Sequence, residues 1–135
     1  LKDHGIKPDE DLIRHMRPEI KSYSMESGYV LTRELLDSGK EFTAIFALSD
    51  TMAVGACRAI VEAGKRVPED YSVAGFDGIE LCSYYNPTLT TIRQPIQHIA
   101  EASVKLLFDI LAGRSGHQHK VFAGELLEQE STAKR

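Results

Sequence analysis

The sequence is poor in cysteine and has no long apolar run, and both absences exclude classes of protein. Its 135 residues include only two cysteines, Cys57 and Cys82, in apolar surroundings and without C-x-x-C spacing. This argues against a disulfide framework or a zinc site, and we expect two buried thiols in a reducing cytosol. No apolar stretch reaches the about 18 residues of a membrane span, and no signal-peptide pattern is present. We therefore expect a cytoplasmic chain without a membrane partner.

Clustered basic residues and common catalytic motifs are also missing. The formal net charge is -4 and the basic residues are scattered, so we expect the chain by itself to bind no specific DNA. There is no G-x-S-x-G elbow, no G-x-x-x-x-G-K-S/T loop and no G-x-G-x-x-G turn. His117 and His119 lie in a polar loop without a third metal ligand nearby. Glu69 and Asp70 follow Pro68 in a turn and are expected to face water. We predict no metal, no cofactor and no catalytic residue.

Short apolar runs alternate with amphipathic stretches along the chain. TAIFAL (43–48) and YSVAGF (71–76) are apolar runs of the kind that form strands buried on both faces of a sheet. Between them, Asp50 is a natural N-cap and Gly64 a natural terminator of an amphipathic helix. The other predicted elements are a helix over 27–39, a strand over 90–95, a helix over 96–112 and a closing strand over 119–126. This alternation predicts an α/β fold with a doubly wound parallel sheet between two layers of helices.

Asp77 directly follows the second of these strands, in the stretch VPEDYSVAGFDG. The carboxyl ends of parallel strands form the edge at which such sheets bind ligands. Ser49 follows the preceding strand, so we expect both side chains at that edge. A carboxylate can accept two hydroxyl protons at once, which favours a sugar or a nucleoside-like ligand. The alternative is a turn aspartate that caps nearby backbone N–H groups before Gly78.

Longer motifs resemble a known family. The stretches FTAIFALSDTMAVGACRAIVEAGKRVPEDYSVAGFDG and NPTLTTIRQP resemble the effector-binding domain of the lactose repressor/galactose repressor (LacI/GalR) family of bacterial transcription regulators. The resemblance covers nearly the whole chain. It implies part of a two-lobed domain similar to type I periplasmic sugar-binding proteins, with a small-molecule effector between the lobes.

The same resemblance divides the chain. Residues 1–90 correspond mainly to the second lobe, and residues 91–128 to the crossover strand, the returning helix and the closing strand. We expect residues 129–135 to form a frayed tail. The first lobe and the DNA-binding helix-turn-helix are expected to lie outside this chain. The apolar face of helix 96–112 would then need a cover from elsewhere, such as a second copy of the chain.

The resemblance also implies ligand-binding positions. Asp77 matches the aspartate that binds ligand hydroxyls, and Tyr23 stands where an aromatic side chain stacks on the ligand. Ser49 replaces a common asparagine, and Ile96 replaces a hydrophobic residue that is often aromatic. These two departures leave the identity of the effector open. Without the resemblance, Tyr23 would be interpreted as a half-buried loop residue and Ile96 as part of an apolar helix face.

The dimer contacts of the family fall on Val54, Cys82, Tyr84 and Tyr85, so the resemblance implies a homodimer. The implied mechanism is allosteric and makes no bond: effector closes the lobes and changes the spacing of the heads that contact operator DNA. Two alternatives stay open. A periplasmic sugar-binding protein has the same fold and cleft, and an enzyme of the doubly wound class would need a nucleophile or a metal at the strand ends.

Overall fold

A computed structural model describes residues 5, 7–114, 116 and 118–134. The strands are β1 (Ala44–Phe46), β2 (Ser72–Asp77), β3 (Thr90–Arg93) and β4 (Glu125–Leu127), in that order across the sheet. The first three are parallel, and β4 is antiparallel to β3. The helices are α1 (Met25–Asp37), α2 (Asp50–Glu62), α3 (Leu81–Tyr84) and α4 (Ile96–Leu111), after a 3-10 turn at Glu10–Leu12. The predicted α/β class is confirmed, and the sheet is mainly rather than wholly parallel, because β4 is antiparallel. Within these ranges no helix is long and apolar enough to cross a membrane.

α2 begins at a serine cap and ends at a glycine. The Ser49 hydroxyl accepts a hydrogen bond from the N–H of Met52 at 3.3 Å. The prediction of Asp50 as the cap is wrong by one residue, because Ser49 takes this position and Asp50 lies in the first helical turn. Gly64 follows the helix with a φ of 73°, as the sequence predicts for a terminator.

α1 and α2 approach so closely that only glycine fits at two contacts. A Cβ on Gly28 would overlap the carbonyl group of Met52, and a Cβ on Gly55 would overlap that of Met25. The close approach lets both helices contribute to one core. Its buried members are Leu31, Ala47, Met52, Ala53, Ala56, Cys57, Ile60, Val73, Cys82 and Leu89. Both cysteines are free and buried, as predicted.

β1 departs from the prediction of a strand buried on both faces. Ile45 and Ala47 pack in the core, whereas Phe46 and Leu48, with the opposite orientation, are 61% and 55% exposed. β1 meets the core on one face only, so the side chains on its other face stay exposed. An apolar run alone does not show whether both faces of its strand are covered.

α4 leaves its apolar face open, as the sequence predicts. None of its residues is buried, and Ile96, Leu107 and Leu111 are 59%, 55% and 74% exposed. Ile99 and Leu106 are half-buried and share a groove with residues 118–122. The helix is therefore only loosely covered by the described part of the chain.

Residues 129–133, which the sequence predicts as part of a frayed tail, are instead fixed to the sheet. Ser131 is completely buried, and its hydroxyl donates to the Val73 carbonyl at 2.6 Å and accepts from the Thr90 N–H at 2.9 Å. The closing strand is also shorter than the predicted 119–126, because β4 pairs only with residues 91–93. Both errors come from long-range pairing that a polar local sequence does not reveal.

Candidate functional site

The carboxyl ends of β2 and β3 border a cavity of about 650 Å³. Residues 77–79 line one side, and residues 93–98 line the other. Asp77 and Arg93 are register partners, so the cavity lies at the edge where the sequence predicts ligand binding. The structure thus brings together two of the predicted ligand residues, Asp77 and Ile96, and Ile96 presents an apolar surface there.

Asp77 is held in an unusual conformation by Gln94. Its φ is 120°, in a region that residues other than glycine rarely adopt. The Gln94 side chain donates to Oδ1 of Asp77 at 2.7 Å, and the Gln94 N–H donates to the Asp77 carbonyl at 3.2 Å. Oδ2 has no hydrogen-bond partner among the residues that the structure describes. One oxygen therefore orients the carboxylate, and the other is available to accept from a ligand.

Tyr23 and Ser49 form a second cluster, which Thr51 connects. The Thr51 hydroxyl donates to the Tyr23 carbonyl at 2.6 Å and lies 3.0 Å from the Ser49 hydroxyl. The Tyr23 ring is 54% exposed, whereas Ser49 is 5% exposed. Neither residue lines the 650 Å³ cavity. Their contact with a ligand stays a prediction, and the Ser49 hydroxyl is already engaged as the cap of α2.

Asp50 is the buried carboxylate that sequence reasoning interpreted only as a helix cap. Its side chain is fully buried. Oδ1 accepts from the Thr91 hydroxyl at 2.6 Å, and Oδ2 accepts from the Ile79 N–H at 2.9 Å. These bonds connect the start of α2 with β3 and with the turn that follows Asp77. The sequence held one signal of this role. Ser49, directly before Asp50, can cap α2 by itself, so Asp50 is not needed as the cap.

The predicted dimer residues separate into exposed and buried members. Tyr84 is 79% exposed, whereas Val54 and Tyr85 are half-buried against the core. Cys82 is only 2% exposed, so the structure does not support its side chain as a partner contact. Burial raises the pKa of the Cys82 thiol to about 12, and its hydrogen bond to Asp50 adds to the shift. Cys82 faces inward because α3 packs this side of its single turn on the core.

Metal ligands do not cluster in the described ranges. No group of three or more histidine, cysteine, aspartate or glutamate side chains there is arranged to hold a metal ion. His119 is exposed, and His117 lies outside the described residues.

Comparison with known proteins identifies the family. The model of the periplasmic binding protein-like domain matches residues 1–132. The HTH-type transcriptional regulator MalR of Clostridium butyricum is 40% identical over 131 residues, which are 97% of this chain and 38% of that protein. A LacI family regulator from Enterococcus faecium with bound ribose is 44% identical, with a TM-score of 0.72 over 82% of this chain and 41% of that one.

A third relative, the regulator CelR in complex with cellobiose, has a TM-score of 0.85 at 30% identity, over 96% of this chain and 38% of that one. The chain therefore spans 38% to 41% of the length of these relatives. The family match and the shared fold therefore identify the same family. The chain belongs to the periplasmic binding protein-like domain family, in the form that occurs in LacI-family transcription regulators.

Proposed function

We propose that this chain is the effector-binding part of a LacI-family transcription regulator and that its effector is a sugar. Asp77 is the observation that carries the proposal. Gln94 holds one of its carboxylate oxygens, and the other has no partner in the described ranges, at the border of a 650 Å³ cavity. Two relatives support a sugar, since their structures hold ribose and cellobiose.

The cavity offers the groups that sugar recognition needs. Oδ2 of Asp77 accepts from a sugar hydroxyl, and the charge of the carboxylate strengthens this bond. Arg93 and Gln97, which also line the cavity, supply donors for sugar oxygens. Ile96 offers an apolar surface to the C–H face of the ring. We expect the exposed Tyr23, in the turn before α1, to cover the part of the sugar that extends beyond the cavity. Specificity between sugars then depends on which hydroxyls reach Asp77.

The action that follows is allosteric. Effector bound at this edge draws a second lobe of the full-length protein onto the cavity, and closure changes the spacing of the DNA-binding heads. Moving such an equilibrium from 1:99 to 99:1 requires about 5.5 kcal/mol of preference for one state, which a few charge-assisted hydrogen bonds can supply. No bond is made or broken, and the protein acts in the cytoplasm. The named relatives are transcription regulators, which supports this role over transport or catalysis.

In this proposal the full-length protein is a homodimer that reaches operator DNA through a separate helix-turn-helix. Tyr84, which is 79% exposed, is the centre of the pairing surface. Val54 and Tyr85, which are half-buried against the core, belong to the same proposed surface. Tyrosine is enriched among the residues that dominate protein interfaces.

Calorimetric titration of the full-length protein with ribose, cellobiose and adenosine tests the proposal. We expect a sugar to bind and Asp77→Asn to weaken its affinity by about tenfold to a hundredfold, because a charge-assisted bond contributes roughly 1.5–3 kcal/mol. Asp37→Asn is the matched control, since the Asp37 side chain is 68% exposed on α1. We expect its affinity to equal that of the wild type.

Two results would contradict the proposal. Binding of adenosine alone would replace the sugar by a nucleoside-like effector. Unchanged affinity in Asp77→Asn, together with a sharply lowered Tm, would mean that Asp77 only stabilises its turn.

A further inference from the structure

We propose that Asp50 is a positioning residue for the effector site, which it serves by holding the turn that presents Asp77. This inference rests on the proposed function above. Asp50 does not line the 650 Å³ cavity, so any effect on a ligand must pass through the turn. The two residues lie at the ends of different elements, and their connection appears only in the folded chain.

The hydrogen bonds reach both backbone N–H groups that follow Asp77. Oδ2 of Asp50 accepts directly from the N–H of Ile79 at 2.9 Å. Oδ1 accepts from the Thr91 hydroxyl at 2.6 Å, and the Thr91 oxygen in turn accepts from the N–H of Gly78 at 3.3 Å. The Asp50 carboxylate thus holds two successive N–H donors of the turn, Ile79 directly and Gly78 through the Thr91 hydroxyl.

The turn needs such support because its backbone is strained. Asp77 has a φ of 120° and Gly78 a φ of 73°. A Cβ on Gly78 would clash with the backbone and side chain of Arg93, so the turn lies directly on β3. Strained backbone of this kind persists only where the surrounding structure determines it. Here the hydrogen bonds from Asp50 and Thr91 hold this backbone in place.

The Asp50 carboxylate packs against β2 at a position where any side chain would overlap it. A Cβ on Gly75 of β2 would overlap Oδ1 of Asp50. The carboxylate is fully buried, which is unfavourable for a charge unless it is paired or hydrogen-bonded. Capping of α2 does not explain this burial, because Ser49 is the cap. The carboxylate also lies in the first turn of α2, where the helix dipole favours a negative charge.

Substitutions of Asp50 and Thr91 in the full-length protein test the inference. Asp50→Asn keeps the shape but has one side-chain oxygen, so it can accept from Ile79 or from Thr91 but not from both. Thr91→Val removes the link to Gly78 and leaves the Asp50–Ile79 bond. Thr91→Ser keeps the hydroxyl and serves as the conservative variant.

Two readouts are needed, one of the turn and one of the site. Amide hydrogen exchange at Gly78 and Ile79 reports the turn without any effector. Calorimetry with ribose and cellobiose, well below the Tm of each variant, reports the site. We expect Thr91→Val to lose protection at Gly78 and Asp50→Asn to lose protection at one of the two amides, each with about a tenfold loss of sugar affinity. Thr91→Ser should keep wild-type protection and affinity.

The outcomes separate this inference from the proposed function. If the wild type binds neither sugar, the sugar proposal is refuted. If Thr91→Val shows the same amide exchange at Gly78 as the wild type, the proposal that Asp50 and Thr91 hold the turn is refuted as well. If the turn loses protection while sugar affinity stays unchanged, Asp50 stabilises the fold without positioning Asp77, and the inference is overturned. Equal loss of affinity in Thr91→Ser and Thr91→Val would also overturn it, because the hydroxyl would then not matter.

Discussion

Replacing Ser131 with alanine should destabilise the protein strongly, although the residue lies in a charged terminal segment. The Ser131 hydroxyl bridges β2 and β3, since it donates to the Val73 carbonyl at 2.6 Å and accepts from the Thr90 N–H at 2.9 Å. Ser131 is completely buried, so no water can replace these bonds. Each buried backbone group left without a partner costs about 1–3 kcal/mol, and two groups are affected. We expect a loss of about 2–6 kcal/mol in the free energy of unfolding.

Urea unfolding measures this loss, and Ser103→Ala provides the matched control. The Ser103 hydroxyl donates to the Ile99 carbonyl on an exposed stretch of α4, where water can replace it. The control should therefore stay within about 0.5 kcal/mol of the wild type. If Ser131→Ala were no less stable than Ser103→Ala, the terminal segment would not hold the sheet as the structure indicates.

Two further predictions concern assembly and alkaline stability. Tyr84→Asp should convert the proposed dimer to monomer in sedimentation, because Tyr84 is 79% exposed at the pairing surface, and an unchanged dimer would place the interface elsewhere. Burial raises the pKa of the Cys57 thiol from 9.0 to about 12. The folded state thus retains a proton that the unfolded state loses, and the stability from this difference, fully present below about pH 9, is lost as the pH rises towards 12. Cys57→Ala should show a shallower fall of stability between about pH 9 and pH 11 than the wild type, and an equally steep fall would contradict this cause.

The sequence by itself determined the features that depend on neighbouring residues. The alternation of apolar runs and amphipathic stretches predicted the α/β class, and Gly64 predicted the end of α2 because only a left-handed residue closes a helix in this way. The position of Asp77 after an apolar run placed it at the edge of the sheet, where parallel strands end together. The apolar face of α4 was also visible as a helical period. Each of these signals lies within a few residues along the chain.

Tertiary structure decided what depends on distant partners. Asp50 looked like a helix cap, but it binds Ile79 and Thr91, which are 29 and 41 residues away. Ser131 looked like part of a frayed tail, but Val73, 58 residues before it, accepts its hydroxyl proton. The composition predicted Cys82 as a buried thiol and the resemblance implied it as a dimer contact, and the packing of α3 on the core leaves its side chain only 2% exposed. A polar side chain can satisfy its hydrogen bonds with water or with buried backbone, and local sequence does not distinguish the two because only the folded chain brings the second partner within reach.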